Sequence, residues 1–349
     1  MQYYIGVQKG EQLDMKVNLD WAVRQIATSP LFDEGWYRET YRIPQHEDAA
    51  EHYLMKGYKK GWNPSKFFSS EEYYLQNPDV RWGGTNPLLH FEIEGNNSNL
   101  YKGRVPHDIL NSYKRCACCG HYVGKYIPLP QYYFDMAAKY HAKPAKDEML
   151  NAEEYSCPYC GSADRDRAYA VCMERLLPEN FAGTVLDIAP AAAIKNFIAR
   201  KYPAAGYKTA DLYMENVDYR LDIMDMKEIA DNSVDFFICS HVLEHVRDDV
   251  KAMKELHRIL KHDGVGILVV PIDLLCEQID EDPELEDIGE RWRRFGQDDH
   301  VRRYSKKGYI NRLEKAGLTV TLATREFFGK TAMYENALTD TATVYLVSK

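Results

Sequence analysis

The stretch that most constrains the fold covers residues 183–211 and reads GTVLDIAPAAAIKNFIARKYPAAGYKTAD. It predicts a short apolar strand over Thr184–Ile188, a turn of small residues, a helix over Ala192–Lys201, and a second strand that ends in Asp211. This is the layout of a nucleotide-type pocket, because the N–H groups at a helix N-terminus attract a ligand and the acid binds ribose hydroxyls. The turn Ala189-Pro190-Ala191 has no GxG, so we expect its ligand to sit less tightly than a dinucleotide pyrophosphate does.

Strand and helix patterns alternate from this stretch to the end of the chain. Helices are predicted over 248–261, with Asp263-Gly264 as the stop signal, and over 306–316. The alternation predicts an α/β fold with a doubly wound, mostly parallel, seven-stranded Rossmann-like sheet. Ligands bind such sheets at the carboxyl ends of the strands. The further predicted strands cover 217–222, Val234–Ser240, 266–271, 318–324 and 342–347.

Length and charge exclude several classes of protein. The 349 residues suffice for two or three domains with a real core. The formal charge of −9 argues against a nucleic-acid partner or an anionic membrane surface. The sequence has no run of 18 apolar residues and its first residues have no apolar signal region, so we expect no transmembrane segment and a cytoplasmic protein. The oligomeric state stays open.

Five of the eight cysteines lie in two tight clusters that each contain a CxxCG turn. Two such turns can place four thiolates around a tetrahedral Zn²⁺, so the sequence predicts a closed structural zinc site. Cys118 and His121 are alternative candidates for the fourth ligand. A redox role for the CPYC turn is the competing interpretation. The predicted ligands are Cys116, Cys119, Cys157 and Cys160.

Residues 31–95 contain a degenerate repeat of about 37 residues, which predicts a small helical module with aromatic anchors. Trp36-Tyr37 recurs as Tyr73-Tyr74, and His52-Tyr53 followed by Gly57 recurs as His90-Phe91 followed by Gly95. The segments YYLQNPDV and PLLHF resemble tandem repeats found beside glycosyltransferase and methyltransferase modules in bacterial surface-polysaccharide clusters. That resemblance implies a docking or acceptor-binding module.

Residues 183–349 resemble the class I S-adenosylmethionine-dependent methyltransferases. The likeness rests on VLDIAP, ADLY, LDIMD and, above all, the block 234–271, which carries an SxxxEH segment after the fourth strand. The zinc knuckles followed by GSADRDR resemble a bacterial subfamily with an N-terminal zinc ribbon. Together these likenesses divide the chain into a helical repeat module over 1–105, a zinc ribbon over 106–163 and a methyltransferase domain over 164–349.

The resemblance also implies roles for single residues. Asp187 and the turn would face the methionine end of S-adenosylmethionine, Asp211 would bind both ribose hydroxyls, and Asp222 would bind the adenine amino group. The turn departs from the family pattern, which usually has glycines there, although this subfamily often shows an IAP turn. The full set of implied cofactor residues is Asp187, Ala189, Pro190, Ala191, Asp211, Leu212, Asp222, Ile223, Ser240 and His241.

Transfer to a hydroxyl also needs a base, and histidines near the predicted strand ends are the candidates. We expect His300 or His241 to be the base, with Asp299 holding the tautomer of His300. His245 is expected to be structural. The acidic run 280–287 is either a solvated loop or a Mg²⁺ site, and the arginines that follow it favour an anionic sugar or phosphate acceptor.

The resulting hypothesis is a methyltransferase that O-methylates a sugar of a bacterial surface glycan or its nucleotide-sugar precursor. Its expected partners are the glycan acceptor and glycosyltransferase or polysaccharide assembly proteins, which could hold it at the inner face of the membrane. The alternatives are a methyltransferase for a small molecule, lipid or protein, and a non-catalytic scaffold that only binds the cofactor.

Overall fold

The computed structural model describes residues 19–95 and 113–349, which form two compact units. The N-terminal unit contains residues 19–95 and 113–116 together with Gly120–Ile127 and Ser156–Gly161. The C-terminal unit contains Ala117–Cys119, Pro128–Tyr155 and Ser162–Lys349. The segment predicted as a zinc ribbon therefore contributes to both units, and its predicted boundary at residues 105 and 106 lies outside the described residues.

Short helices make up most of the N-terminal unit. Asp33, Asp48, Ser69 and Asn86 cap four of them, because each side chain accepts a hydrogen bond from a backbone N–H of the first turn. Two π-helical turns, Tyr53–Gly57 and Phe91–Gly95, and the 3₁₀ turn Tyr58–Lys60 extend these elements. The α-helices are α1 (Leu19–Thr28), α2 (Glu34–Tyr41), α3 (Ala49–His52), α4 (Ser70–Gln76), α5 (Pro78–Trp82) and α6 (Pro87–His90).

One arrangement occurs twice in this unit. The hydroxyl of the buried Tyr37 lies 3.0 Å from Nδ1 of His52, and the hydroxyl of the buried Tyr73 lies 2.7 Å from Nδ1 of His90. Tyr37 is thus equivalent to Tyr73, whereas the repeat in the sequence aligns Tyr37 with Tyr74. Gly57 is required in the first copy, because a Cβ atom there would lie 2.0 Å from the Tyr37 hydroxyl.

A seven-stranded sheet forms the centre of the C-terminal unit, with the order β6-β7-β5-β4-β1-β2-β3. Strand β7 runs antiparallel to both of its neighbours, and the other neighbouring strands run parallel. This confirms the predicted mostly parallel, doubly wound sheet, with its switch point between β1 and β4. The strands are β1 (Thr184–Ile188), β2 (Gly206–Asp211), β3 (Tyr219–Arg220), β4 (Val234–Ser240), β5 (Leu260–Val269), β6 (Thr319–Ala323) and β7 (Val344–Ser348).

Seven α-helices accompany the sheet in the described part of this unit. The predicted helix over Ala192–Lys201 has the same bounds in the structure. Asp280–Glu281 and Arg302–Arg303 form a separate antiparallel pair. The helices are α7 (Gln131–Lys139), α8 (Asp164–Leu176), α9 (Ala192–Lys201), α10 (Asp249–Ile259), α11 (Ile288–Phe295), α12 (Lys306–Lys315) and α13 (Arg325–Glu335).

The structure corrects the prediction around Asp263-Gly264. Helix α10 ends at Ile259, and β5 begins at Leu260 and runs through both residues, so they do not stop the helix. Gly264 is needed within the strand, because a Cβ atom there would lie 2.8 Å from Leu260 Cδ1 and 3.0 Å from the Asp235 carbonyl oxygen.

The third predicted strand, 217–222, is also shorter in the structure and covers only Tyr219–Arg220. Asp218 lies outside the strand, and its carboxylate accepts hydrogen bonds from the backbone N–H and the hydroxyl of Thr209 at 2.9 Å each.

Among the described residues, none of the helices is both long and apolar enough to cross a membrane.

Candidate active site

The turn after β1 takes the shape that glycine usually provides. Ala189 has φ 55°, which lies in the left-handed region, and its N–H donates to the Ala210 carbonyl at 2.9 Å. Helix α9 then starts behind Ala191, whose side chain gives no capping hydrogen bond. Because the first N–H groups of a helix have no partner within it, this end of α9 offers donors and partial positive charge to a ligand carboxylate. The absence of GxG thus leaves the turn geometry intact.

Asp187, at the end of β1, is buried and has a specific partner. The Tyr207 hydroxyl donates to its Oδ2 at 2.7 Å, and the residue is 2% exposed. Burial, offset in part by that hydrogen bond, raises the pKa of Asp187 to about 7. Asp187 therefore lies two residues before Ala189 and links β1 to β2 through Tyr207.

Asp211 and Asp222 shape the loops that follow β2 and β3. Oδ1 of Asp211 accepts from the backbone N–H groups of Tyr213 and Met214 at 2.7 and 2.8 Å, an Asx turn that leaves Oδ2 for another donor. Oδ1 of Asp222 accepts from the Met224 N–H at 2.8 Å, while Ile223 is buried.

Apolar side chains beside Asp211 are open to solvent. Leu212 is 44% exposed and Met214 is 48% exposed. This loop therefore combines an acid with apolar surface, which suits an aromatic base joined to a ribose.

Ser240 and His241 stand at the carboxyl end of β4. The Ser240 hydroxyl lies 2.8 Å from the Tyr169 hydroxyl of α8. His241 has φ 55°, and its N–H donates to the Val269 carbonyl at 2.9 Å. A non-glycine residue held in this conformation stores strain of about 1–3 kcal/mol, and such residues are enriched at functional sites.

His241 also lines a cavity of about 640 Å³ in the C-terminal unit, within the usual size range for small-molecule sites. Arg165 of α8 points its guanidinium at the Tyr155 hydroxyl, 2.9 Å away, on the same cavity. The wall mixes aromatic and charged groups. It includes Tyr133, Phe134, Tyr155, Arg165, Glu244 and His300.

Glu244 is the centre of a histidine cluster on this cavity. Its Oε1 lies 3.4 Å from His241 Nδ1, 3.9 Å from His245 Nε2 and 4.0 Å from His300 Nε2. The carboxyl group is fully buried, and within the described part of the chain neither of its oxygens accepts a hydrogen bond. Burial raises the pKa of Glu244 to about 8.

The structure places the predicted catalytic residues differently from the predicted pairing. Asp299 contacts His245, with 3.3 Å between Oδ2 and Nδ1, whereas Nδ1 of His300 lies 3.3 Å from the Phe295 carbonyl. Burial and the neighbouring His245 lower the pKa of His300 to about 3. His300 is thus a buried neutral ring, and Asp299 orients His245 instead of His300.

The acidic run 280–287 forms ion pairs in the structure. Asp280 pairs with Arg294 at 2.6 Å, and Glu281 pairs with Arg312 at 2.5 Å. Burial alone would raise the pKa of Asp280, but the ion pairs outweigh it, and they lower the pKa of Glu281 as well. The prediction of a Mg²⁺ site in this run finds no support.

The four cysteines predicted as metal ligands come together. Their sulfur atoms all lie within 4.8 Å of one another, and those of Cys116 and Cys160 are 3.9 Å apart. In each turn the glycine N–H donates to the carbonyl of the first cysteine, at 2.7 Å for Gly120 and 2.9 Å for Gly161. Both glycines have positive φ, which the knuckle turn requires. The cluster is compatible with a tetrahedral zinc ion.

The sequence does not indicate that Glu244, Arg165 and Tyr169 come together at this site. Glu244 lies in the SxxxEH segment, but a single acid in a loop has no periodicity that would indicate burial. Arg165 and Arg167 lie two positions apart near the start of α8, and the sequence alone does not distinguish them. Arg167 is structural, because its guanidinium donates to the backbone carbonyls of Glu154, Tyr155, Ser162 and Asn336.

Comparison with known proteins matches residues 174–268 to the family described as Methyltransferase domain. A methyltransferase of Mesorhizobium loti, described as S-adenosylmethionine-dependent, is 15% identical, with coverage of 52% of this chain and 98% of its own and a TM-score of 0.36. One from Aquifex aeolicus is 17% identical, with coverage of 51% and 88% and a TM-score of 0.31. None of the curated proteins compared with the chain matches it in sequence.

The sequence match and the sheet order agree with each other. The matched residues contain β1 to β4 and most of β5, which are the strands whose carboxyl ends carry Asp187, Asp211 and Ser240. The seven-stranded, mostly parallel sheet fits the Rossmann-like fold of class I methyltransferases. Residues 174–268 therefore match a methyltransferase domain.

Proposed function

We propose that the protein transfers the methyl group of S-adenosylmethionine to a hydroxyl of a sugar, in a bacterial surface glycan or its precursor. The observation that carries this proposal is the cavity of about 640 Å³ that meets the carboxyl end of β4 at His241. In a doubly wound sheet the cofactor binds across the strand ends. An acceptor in this cavity would then lie beside the methyl group.

The proposed cofactor contacts apply the roles that the resemblance implies to the geometry of the site. The open N-terminus of α9 receives the methionine carboxylate, and the free Oδ2 of Asp211 receives the ribose hydroxyls. Leu212 packs against the adenine, and Asp222 and Ile223 contact its edge. Ala189, Pro190 and Ala191 line the methionine end, with Asp187 two residues before Ala189.

Methyl transfer is an in-line displacement in which positioning supplies most of the catalysis. The acceptor oxygen forms a bond to the methyl carbon, the sulfur–methyl bond breaks with its electron pair on sulfur, and the hydroxyl proton passes to a base. Of the two predicted bases, the geometry favours His241 over His300. His241 follows Ser240 directly, its side chain is 26% exposed, and its Nδ1 faces Glu244 Oε1 at 3.4 Å, which leaves Nε2 for the acceptor.

The lining of the cavity supports a polar acceptor. Tyr133, Phe134 and Tyr155 provide aromatic faces on which a sugar ring can stack, while Arg165 and Lys143 favour an anionic group on it. A methyltransferase for a small molecule, lipid or protein is the second candidate. A non-catalytic cofactor-binding scaffold is the third.

The cysteine cluster and the N-terminal unit complete the proposal. We assign a structural Zn²⁺ to Cys116, Cys119, Cys157 and Cys160, since a site closed by four thiolates has no open position for catalysis. The doubled Tyr–His arrangement of the N-terminal unit agrees with the tandem repeat, and the resemblance of that repeat is our reason to propose a module that docks onto the glycan or onto glycosyltransferase and assembly proteins. Such partners would place the protein at the inner face of the membrane.

The experiment is mass spectrometry of surface glycans and nucleotide sugars from cells with and without the protein. We expect a sugar that carries one additional methyl group only when the protein is present. Identical glycans in both cells, together with S-adenosylmethionine binding by the purified protein, would exclude the glycan acceptor and favour the scaffold or another acceptor class.

A further inference from the structure

The Glu244 cluster contains an electrostatic conflict that the methyl transfer proposed above does not explain. Nδ1 of His245 lies 3.3 Å from the Asp299 carbonyl, and Nδ1 of His300 lies 3.3 Å from the Phe295 carbonyl. A carbonyl oxygen can only accept a hydrogen bond, so Nδ1 carries the proton in each ring. In both neutral rings Nε2 is therefore the nitrogen with the free lone pair.

Both of these lone-pair nitrogens face the same carboxylate oxygen. The Nε2 atoms of His245 and His300 lie 3.9 and 4.0 Å from Glu244 Oε1, and neither oxygen of Glu244 accepts a hydrogen bond from a donor in the described residues. When Glu244 is ionised, these three buried acceptor atoms repel one another, and a buried carboxyl group without a hydrogen-bond partner among the described residues is unfavourable. A cation between them removes the conflict.

From this geometry we propose that Glu244, His245 and His300 bind a divalent first-row metal ion, with Zn²⁺ as the best match. The three ligand atoms lie within 4.8 Å of one another. Zinc bonds to nitrogen and oxygen of about 2.1 Å need ligands about 3.4 Å apart, so the rings need to move inward by about 1 Å or less. Two histidines and one glutamate form a catalytic rather than a structural zinc set, because they leave a coordination position open.

The surroundings have the supports that metal-binding histidines usually show. The second nitrogen of each ring is held by a backbone carbonyl, and Asp299 adds a carboxylate to His245 at 3.3 Å. The Glu244 carbonyl accepts a hydrogen bond from the Val301 N–H at 2.9 Å. This bond joins the loop that carries Glu244 and His245 to the residue after His300. The ligand segment is thus fixed by its own backbone.

The position of this site gives the ion a role that deepens the proposed function. Glu244, His245 and His300 all line the cavity proposed for the acceptor, and His241 stands beside them. An acceptor hydroxyl bound at the open position would have a lowered pKa and would give its proton to His241 more readily. The inference rests on the proposed function for this role, but the metal site itself does not.

The test is calorimetric titration of Zn²⁺ into the full chain, after the zinc it already holds has been measured by elemental analysis. We expect one further zinc ion to bind, with affinity lowered about tenfold or more in both Glu244→Gln and His245→Ala. His262→Ala, at an exposed histidine, is the matched control and should bind zinc as the unchanged chain does. His245 is partly exposed, so its replacement is the variant expected to fold normally.

S-adenosylmethionine binding by the same samples separates the two proposals. Zinc affinity lost in both variants, with cofactor binding retained, supports the metal site and leaves the methyltransferase function in place. Zinc binding that depends on Glu244 in a chain that binds no cofactor supports the metal site and contradicts the proposed function. No further zinc bound, or equal affinity in Glu244→Gln, His245→Ala and His262→Ala, overturns the metal site.

Discussion

Ala189 and His241 occupy equivalent positions on neighbouring parallel strands. Each is the first residue after its strand, each has φ 55°, and each donates its N–H to a carbonyl of the next strand, Ala210 or Val269. Because Ile188 is level with Cys239, the sharp turn after β4 lies one residue beyond the turn after β1, and these two strands flank the switch point of the sheet. The two turns define the opening in which we place the cofactor.

The left-handed turn at Ala189 predicts how this position responds to substitution. Ala189→Gly should raise the free energy of unfolding by up to about 1 kcal/mol, because glycine adopts positive φ without a Cβ clash. Ala189→Val should lower it by more than about 1 kcal/mol, because a β-branched side chain is strained there. Chemical denaturation measures both. A destabilised Ala189→Gly would show that the left-handed turn is not the native conformation.

Replacement of Asp211 tests cofactor recognition. Asp211→Asn keeps an oxygen for the Asx turn but loses the charge, so S-adenosylmethionine affinity should fall about 10- to 100-fold. Asp225→Asn, at an exposed acid in the following loop, should leave the affinity unchanged. Calorimetry compares the two variants, and equal affinities would remove Asp211 from the ribose site.

Replacement of His241 tests the proposed base. His241→Ala should lower turnover about 10²- to 10⁴-fold, whereas S-adenosylmethionine affinity should stay within about twofold. The matched control His262→Ala should change neither quantity. A His241→Ala protein with normal turnover would rule out His241 as the base.

The buried carboxyl of Asp187 predicts a pH dependence of stability. Its pKa is about 7 in the folded chain and about 3.9 when unfolded, so the folded state holds the proton more tightly. The resulting stabilisation is complete below about pH 4 and is lost as the pH rises to about 7, by up to about 4 kcal/mol. Asp187→Asn removes this dependence. The free energy of unfolding of the variant, relative to that of the unchanged chain, should therefore be higher at about pH 7.5 than at about pH 4. Denaturation curves at both pH values measure the gain, and the exposed Asp263→Asn should show none.

The four-cysteine site predicts about one tightly held zinc ion per chain and a loss of stability when a ligand is removed. Cys157→Ser should release this ion and lower the melting temperature, because three thiolates hold zinc less tightly than four. Cys276→Ser, at a cysteine outside the cluster, should retain the zinc. A stable, metal-free protein with all four cysteines would contradict the assignment.

The fold was accessible from the sequence wherever apolar residues run continuously. β1 and β4 and the helix α9 have their predicted bounds, because a buried parallel strand or an amphipathic helix imposes a regular pattern. Asp263-Gly264 misled the prediction because the pair is typical of a turn, and only the close approach of Leu260 and Asp235 shows that glycine is needed within β5.

The candidate site could be predicted only in part from the sequence, because local motifs are visible in it and contacts between distant residues are not. The acids proposed to bind the cofactor lie at or after predicted strand ends, and the cysteines lie in CxxCG turns. These local patterns were enough to predict which of these residues lie close together. Glu244 shares the SxxxEH segment with His241 and His245, but its contact with His300 joins residues 56 positions apart that share no motif. The pairing of Asp299 with His245 likewise depends on the path of the loop after α11, which the sequence does not specify.

The central claim is that the strand ends of this sheet bind S-adenosylmethionine. Calorimetric titration of the full chain with S-adenosylmethionine and with S-adenosylhomocysteine tests it most directly. We predict one site per chain for each, with a dissociation constant of about 1–100 μM that rises in Asp211→Asn. No binding of either compound at about 1 mM would contradict the account.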